Sequence, residues 1–436
     1  ISMETLPSEL IETICNDSNR LGLMALRLVS RRVSSLATRS FSKRYIATVS
    51  SSMTRPSLDH LVAVCEHPLF GPRIQKIHIV AGRINPEFVE YLTYTTKDQT
   101  EDRELALEQH ADAKVVLQCA FNRSMKEYRM ETSGEATELL SRAFAAVKIY
   151  NTCVTLQVTS NPWADWEPVR HLDWHRDETS GSNLKPALEF MIQPCLDAMA
   201  NSKMHFTGLN LLVNDDMDTL DELVVFRSFD LECYFEEDLS VFSGLKSVAF
   251  EAPEMLNPVA LDSMTRIFSL AKSAETISFA QDNLFEKVCG DRYRCFWPER
   301  FDISDKILRS IQSDCITALE FKAMPISKTL LSGLLNKHKN TLESVVMWRI
   351  GLREGSWIEV LSWMKHNLPC LKKIYLRDLF QALRLRNSTL YTTHDPEICG
   401  TISSVIGKKK VQAASRTMIE RPLLDSKVAY QEIMGR

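Results

Sequence analysis

The sequence predicts an α/β fold: three short N-terminal helices, then an irregular solenoid of alternating strands and helices. Three observations predict it. The first 45 residues carry apolar side chains at helical spacing broken by capping residues, a strand-type pattern recurs eight times afterwards, and amphipathic helices separate its later copies. At 436 residues the chain also exceeds the roughly 250–300 at which one compact core stops growing, so several domains or an elongated repeat array is expected.

The helices come first in the chain. Leu6 precedes Pro7, and proline suits the first turn of a helix because its missing N–H would have no partner there. Leu6, Leu10, Ile11 and Ile14 then form one apolar stripe, with Ser8, Glu9, Glu12 and Thr13 on the other side. Glu9 and Glu12 also suit the positive end of the helix dipole. Asn16, Asp17, Ser18 and Asn19 make a turn of capping residues, after which Leu21, Met24, Ala25, Leu28 and Val29 resume the helical period. Ser30 caps a third helix expected to turn Val33, Leu36, Ala37 and Phe41 inward. Three helices in about 40 residues are at the size where a metal, a disulfide or a partner is usually needed for stability. With no metal or disulfide signature in the segment, a partner chain is the expectation.

The run Leu6-Pro7-Ser8-Glu9-Leu10-Ile11, then Ile14, then Leu26-Arg27-Leu28-Val29-Ser30-Arg31-Arg32 resembles an F-box of the fungal type. The resemblance covers about a tenth of the chain, over residues 4–45, and departs from many family members at Val33, where they place an aromatic residue. It implies helices that dock on a Skp-family adaptor, which links them to the cullin scaffold of an SCF-type ubiquitin ligase. Leu6, Pro7, Leu10, Ile11, Ile14, Leu28 and Val29 would then carry the adaptor contact.

The repeats follow. An apolar residue, two of any kind, an aliphatic, one of any kind and another apolar recur at Ile74-Ile77-Ile79, Cys153-Leu156-Val158, Phe206-Leu209-Leu211, Leu245-Val248-Phe250, Ala274-Ile277-Phe279, Ile316-Leu319-Phe321, Leu342-Val345-Met347 and Leu371-Ile374-Leu376. Their last two positions alternate as a strand requires. Helices are expected over 326–339, through Leu330, Leu331, Leu334 and Leu335, and over 356–367, through Trp357, Ile358, Val360, Leu361 and Met364. Strand followed by helix, repeated, means a parallel sheet or a solenoid. From residue 245 the copies start 29, 42, 26 and 29 residues apart.

This region resembles degenerate leucine-rich repeats, which implies a curved array with strands on its inner face. The asparagine usual after the strand is replaced by Pro253, Met324, Ile350 and Leu379, so a compact α/β body stays open as an alternative. The expected organisation is residues 4–45 as the F-box, 46–200 as irregular first repeats, 201–380 as the leucine-rich-repeat-like region and 381–436 as a cap or tail. Within 46–200, residues 97–149 read as a helical insertion and 161–182 as a polar loop bearing Trp163, Trp166 and Trp174. The tail carries Lys408, Lys409 and Lys410.

Composition argues against several functions. A net charge of −4 with 25% charged residues gives no global case for nucleic-acid binding. Eleven scattered cysteines without a CxxC pair read as reduced thiols, and no stretch is apolar enough for a membrane helix, so an intracellular protein of the cytoplasm or nucleus is expected. His171 and His175 near Asp173 and Asp177 have metal-ligand spacing but no third ligand nearby, and the polar-loop reading is preferred. Cys289 and Cys295 flank Arg292 and Arg294, cations of the kind that can lower a thiol pKa, yet nothing places a histidine beside them. No phosphate-cradling glycine motif occurs, and the cluster Asp215, Asp216, Asp218, Asp221 and Glu222 lacks a calcium-loop pattern.

The outward strand positions are Thr276, Ser278, Ala318, Glu320, Lys322, Ser344, Val346, Trp348, Lys373, Tyr375 and Arg377. Trp348, Lys373, Tyr375 and Arg377 make an aromatic and basic patch of the residue types that dominate binding hot spots, and these are the expected target-binding residues. The resulting expectation is a non-enzymatic substrate receptor without cofactor or metal, whose partners are the adaptor and an unknown protein target. A repeat scaffold that recruits no ligase, or a hydrolase or transferase on the α/β body, are the other readings the sequence leaves open.

Overall fold

A computed structural model of the protein describes residues 3–84, 106–150, 153–159, 187–212, 223–226, 231, 234, 239–252, 258–281, 298–377, 379–381 and 402–406. The chain divides into two compact units, Ile1–Gly208 and Leu209–Arg436. His171, His175, Trp163, Trp166, Trp174, the 215–222 acidic cluster, Pro253, Cys289, Cys295 and Lys408 to Lys410 lie outside the described residues.

The first unit opens on helices α1 (Ser8–Asp17), α2 (Arg20–Leu26) and α3 (Arg31–Tyr45). Their starts follow the capping chemistry. Asn19 Oδ1 accepts the Gly22 N–H at 2.8 Å and Ser30 Oγ that of Val33 at 3.4 Å. The three helices close over a small core of their own, formed by Ile11, Cys15, Leu23, Val33, Ala37 and Phe41, with Leu6, Leu26 and Leu36 packed against it.

Strands and helices then alternate: β1 (Thr48–Ser52), α4 (Arg55–Glu66), β2 (Lys76–Val80), β3 (Gly82–Ile84), α5 (Ala106–Thr132), α6 (Glu135–Tyr150), β4 (Thr155–Thr159), β5 (Ala187–Phe190) and α7 (Gln193–Ser202). The next strand, β6 (Gly208–Leu212), starts at the last residue of this unit and lies otherwise in the second. β1, β2 and β4 are parallel and in register, Val49 opposite Ile77 and Ile77 opposite Leu156. β3 and β5 pair antiparallel. α6 packs between α4 and α7, burying Leu139, Leu140, Ala143, Phe144 and Val147. It is therefore the helix of its own repeat rather than part of an insertion, and α5 is additional to the strand–helix alternation. Serine and threonine fill four of the five positions of β1, which is why the apolar pattern misses it.

The second unit continues the alternation with β7 (Leu223–Phe226), β8 (Ser247–Ala252), α8 (Pro258–Leu270), β9 (Thr276–Gln281), α9 (Pro298–Ser310), β10 (Ala318–Lys322), β11 (Pro325–Ile326), α10 (Lys328–Lys337), β12 (Ser344–Trp348), β13 (Gly351–Leu352), α11 (Trp357–Asn367), β14 (Lys373–Arg377), β15 (Phe380–Gln381) and β16 (Ile402–Ile406). β8, β9, β10, β12 and β14 lie side by side, parallel and in register. One row, Phe250, Phe279, Phe321, Met347 and Leu376, is buried along its whole length. The pattern residues of all eight copies are buried except Cys153, whose place Val154 takes. The result is an α/β architecture in which N-terminal helices precede parallel strand–helix units in a solenoid-like pattern.

After β10, β12 and β14 the turn is made without asparagine. Met324, Ile350 and Leu379 are buried there as apolar side chains. The backbone bonds an asparagine ladder would supply come from a second parallel ladder, β11–β13–β15, in which the Gly351 N–H donates to Met324 O at 3.1 Å and the Arg353 N–H to Ile326 O at 3.0 Å. Ala323 and Arg349, with φ of 50° and 57°, turn the chain from the long strand into the short one. At the end of the row β16 pairs antiparallel with β14, so the tail contributes a strand where the sequence shows no repeat. No helix among the described residues is long and apolar enough to cross a membrane.

Candidate functional site

Two surfaces gather the residues singled out by sequence, one in each unit. In the first, polar bonds tie the three helices of the bundle together. Arg44 donates to the carbonyls of Asn16 and Ser18 at 2.8 Å each, closing the C-terminus of α1, and Arg32 reaches Ser8 Oγ at 3.1 Å. Arg27 lies over the rings of Phe41 and Phe70 at 5.2 and 5.8 Å. These contacts fix the helices without using the outer apolar residues.

Those outer residues stay uncovered. Leu10 is 51% exposed, Ile14 38%, Leu21 74%, Met24 46%, Leu28 88% and Val29 53%. They are six of the twelve large apolar side chains exposed among the described residues, concentrated in twenty positions. Leu10 and Ile14 are four apart on α1 and form one row, Leu21 and Met24 are three apart on α2 and form another, and Leu28 and Val29 follow in the turn after α2 ends.

The stripe read from sequence is thus split. Ile11 points into the bundle and is fully buried, which removes it from the exposed face; the small core claims one residue in each turn of α1, here Ile11 and Cys15. Leu6 is half-buried against that core, whereas Pro7, Leu10, Ile14, Leu28 and Val29 are exposed. Leu21 and Met24, read from sequence as part of the same stripe as Leu28 and Val29 but not named as contact residues, join the exposed face, while their neighbour Leu23 is fully buried in the core.

In the second unit the outward positions alternate as expected, all half-buried or exposed. Trp348 stands opposite Lys322 and Arg377, Val346 opposite Glu320 and Tyr375, and Ser344 opposite Lys373. Trp348 and Arg377 are brought together, the guanidinium 5.3 Å from the ring centre. Lys373 begins β14 while Arg377 ends it, so the four residues form a band along the strand rather than a cluster. Sequence reading missed Arg349, which also lies over Trp348 at 4.9 Å. Its backbone turns in the left-handed region just after the strand, so a strand-alternation rule assigns it no face.

The described residues also place one histidine between hydroxyls. His78 on β2 lies 3.3 Å from Ser50 Oγ through Nδ1 and 2.9 Å from Thr159 Oγ1 through Nε2, and burial with Lys76 nearby lowers its pKa. A serine nucleophile would need a carboxylate orienting the imidazole, and threonine stands there instead. The three side chains form a polar ladder across β1, β2 and β4. Among the described residues no group of three or more His, Cys, Asp or Glu could hold a metal ion. No protein-family model matches this sequence, and no curated protein matches it.

Proposed function

We propose that the chain is the substrate-recognition subunit of an SCF-type ubiquitin ligase, with residues 4–45 as an F-box and the later strand–helix units as degenerate leucine-rich repeats. A Skp-family adaptor, and through it a cullin scaffold, covers the exposed rows of the N-terminal helices, and a protein target meets the outward sheet face. Ubiquitin transfer belongs to other subunits. The observation that carries the reading is the pairing of a self-sufficient small core with six uncovered apolar side chains in the segment that bears the motif. Large apolar side chains contribute roughly 1.5–3 kcal/mol each when taken from full exposure to full burial, so covering these rows supplies part of the free energy that offsets the lost translational and rotational freedom of association.

Leu10→Asp combined with Val29→Asp tests it. Both positions are more than half exposed, so the variant keeps its fold by circular dichroism. Co-purification with a co-expressed Skp-family adaptor should be lost. Retained adaptor binding would refute the assignment, and absence of binding by the wild-type chain would favour a repeat scaffold outside any ligase.

A further inference from the structure

We propose that the partner surface of the N-terminal helices continues onto the turn after α4 and the C-terminal end of α6, so that the Skp-family adaptor also covers Leu69, Ile149 and Tyr150. This deepens the adaptor reading above and rests on it. A stable interface takes roughly 20–30 residues from each side, more than one face of helices of 10, 7 and 15 residues presents. The remainder has to come from surface next to the bundle. Leu69 is 43% exposed, Tyr150 41% and Ile149 78%. With the six residues of the bundle they make nine of the twelve large apolar side chains exposed among the described residues, and all nine belong to the first unit. Apolar surface gathered in this way marks an interaction site, whereas single exposed side chains do not.

Side-chain contacts join the two sets. Arg27 caps the end of α2, immediately before Leu28 and Val29, and its guanidinium lies over the ring of Phe41 in α3 and over that of Phe70 in the turn after α4. His67 stacks on Phe70 with ring centres 4.1 Å apart, and its Nδ1 accepts the Leu69 N–H at 3.2 Å, which fixes that turn with Leu69 exposed. Gly71 follows, buried under the Tyr150 ring. A Cβ there would stand 2.9 Å from the ring and closer still to the Cys65 carbonyl, so only glycine lets Tyr150 settle on the turn. Ile149 adjoins it at the end of α6. The chain of contacts from Leu28 through Arg27, Phe70 and Gly71 to Tyr150 is already made, so a partner orders few of these groups on binding. The adaptor is the occupant, rather than a second copy, because the patch continues the rows that the motif assigns to the adaptor. One partner burying both reaches the size a single interface needs.

The test uses the full chain and a purified Skp-family adaptor. Leu69→Asp combined with Ile149→Asp changes two exposed positions, so the melting curve should stay unchanged while the dissociation constant for the adaptor, read by titration calorimetry, rises at least tenfold. A second measurement needs no variant. Hydroxyl-radical footprinting should show Leu69, Ile149 and Tyr150 protected in the complex, and Val259 and Ile358, exposed in the second unit, unprotected. Unchanged affinity in the double variant, or unchanged reactivity at the three residues when the adaptor binds, overturns this proposal and leaves the receptor reading standing. A wild-type chain that is dimeric by light scattering and becomes monomeric in the double variant would make a second copy the occupant, and overturns it equally. Absence of adaptor binding by the wild type overturns the receptor reading itself, and this extension with it.

Discussion

At the scale of single residues, His338 is the sharpest strain on the fold. It caps the C-terminus of α10, is 1% exposed, and neither ring nitrogen has a hydrogen-bond partner among the described residues. Burial lowers its pKa from the ordinary value of 6.5, with Lys337 adding to the effect and Asp314 opposing it. The unfolded chain therefore binds the proton first as the pH falls. Stability is undiminished above about pH 6.5 and is lost progressively below it, by at most about 1.4 kcal/mol per pH unit for one proton. His338→Leu should flatten the dependence of the urea midpoint on pH between 7 and 5; an unchanged slope would assign it to other groups. Cysteine burial gives a second residue-scale test. Burial pushes the Cys65 and Cys195 thiols up to about 12, whereas Cys119 and Cys153 are exposed. Brief native alkylation at pH 8 followed by peptide mapping should label Cys119 and Cys153 and spare Cys65 and Cys195.

At the scale of elements, the turns after β10, β12 and β14 differ from those of an array built on asparagine. Ile350 is fully buried and the backbone around it is already paired through β11 and β13. Ile350→Asn restores the residue usual in regular repeats and should nevertheless destabilise the second unit by about 2–4 kcal/mol, since it buries an amide whose partners are taken. A neutral effect on the denaturation midpoint would show that the short ladder is dispensable. The strands themselves were legible because parallel strands covered by helices need apolar residues at alternate positions, and all eight copies form strands. β1 was not legible, because serine and threonine fill it and its register with β2 places it. The N-terminal rows were legible as apolar but not as inside or outside. Helical period identifies a stripe, and only the packing of three helices decides that Ile11 and Leu23 go in while Leu10, Leu21 and Met24 stay out. Arg349 was invisible to pattern reading, because it lies in a left-handed turn.

At the scale of the whole molecule, an array whose strand–helix units are held by their neighbours has a stability that is a sum of local terms rather than one global core. The sequence shows no break at Gly208, since the pattern copy at Phe206, Leu209 and Leu211 resembles its neighbours. A lesion at one position should then be felt over a few strands. Leu376 on β14 is 1% exposed and lies in register with Met347 of β12 and Ile402 of β16. Leu376→Ala deletes three buried carbons at a cost of about 2–5 kcal/mol. Hydrogen exchange read by mass spectrometry should show faster exchange in β12, β14 and β16, a smaller change in β10, and none in β1, β2 and β4 of the first unit. Uniform acceleration through both units would mean that the chain unfolds as one cooperative body, and the additive picture of neighbouring repeats would then fail.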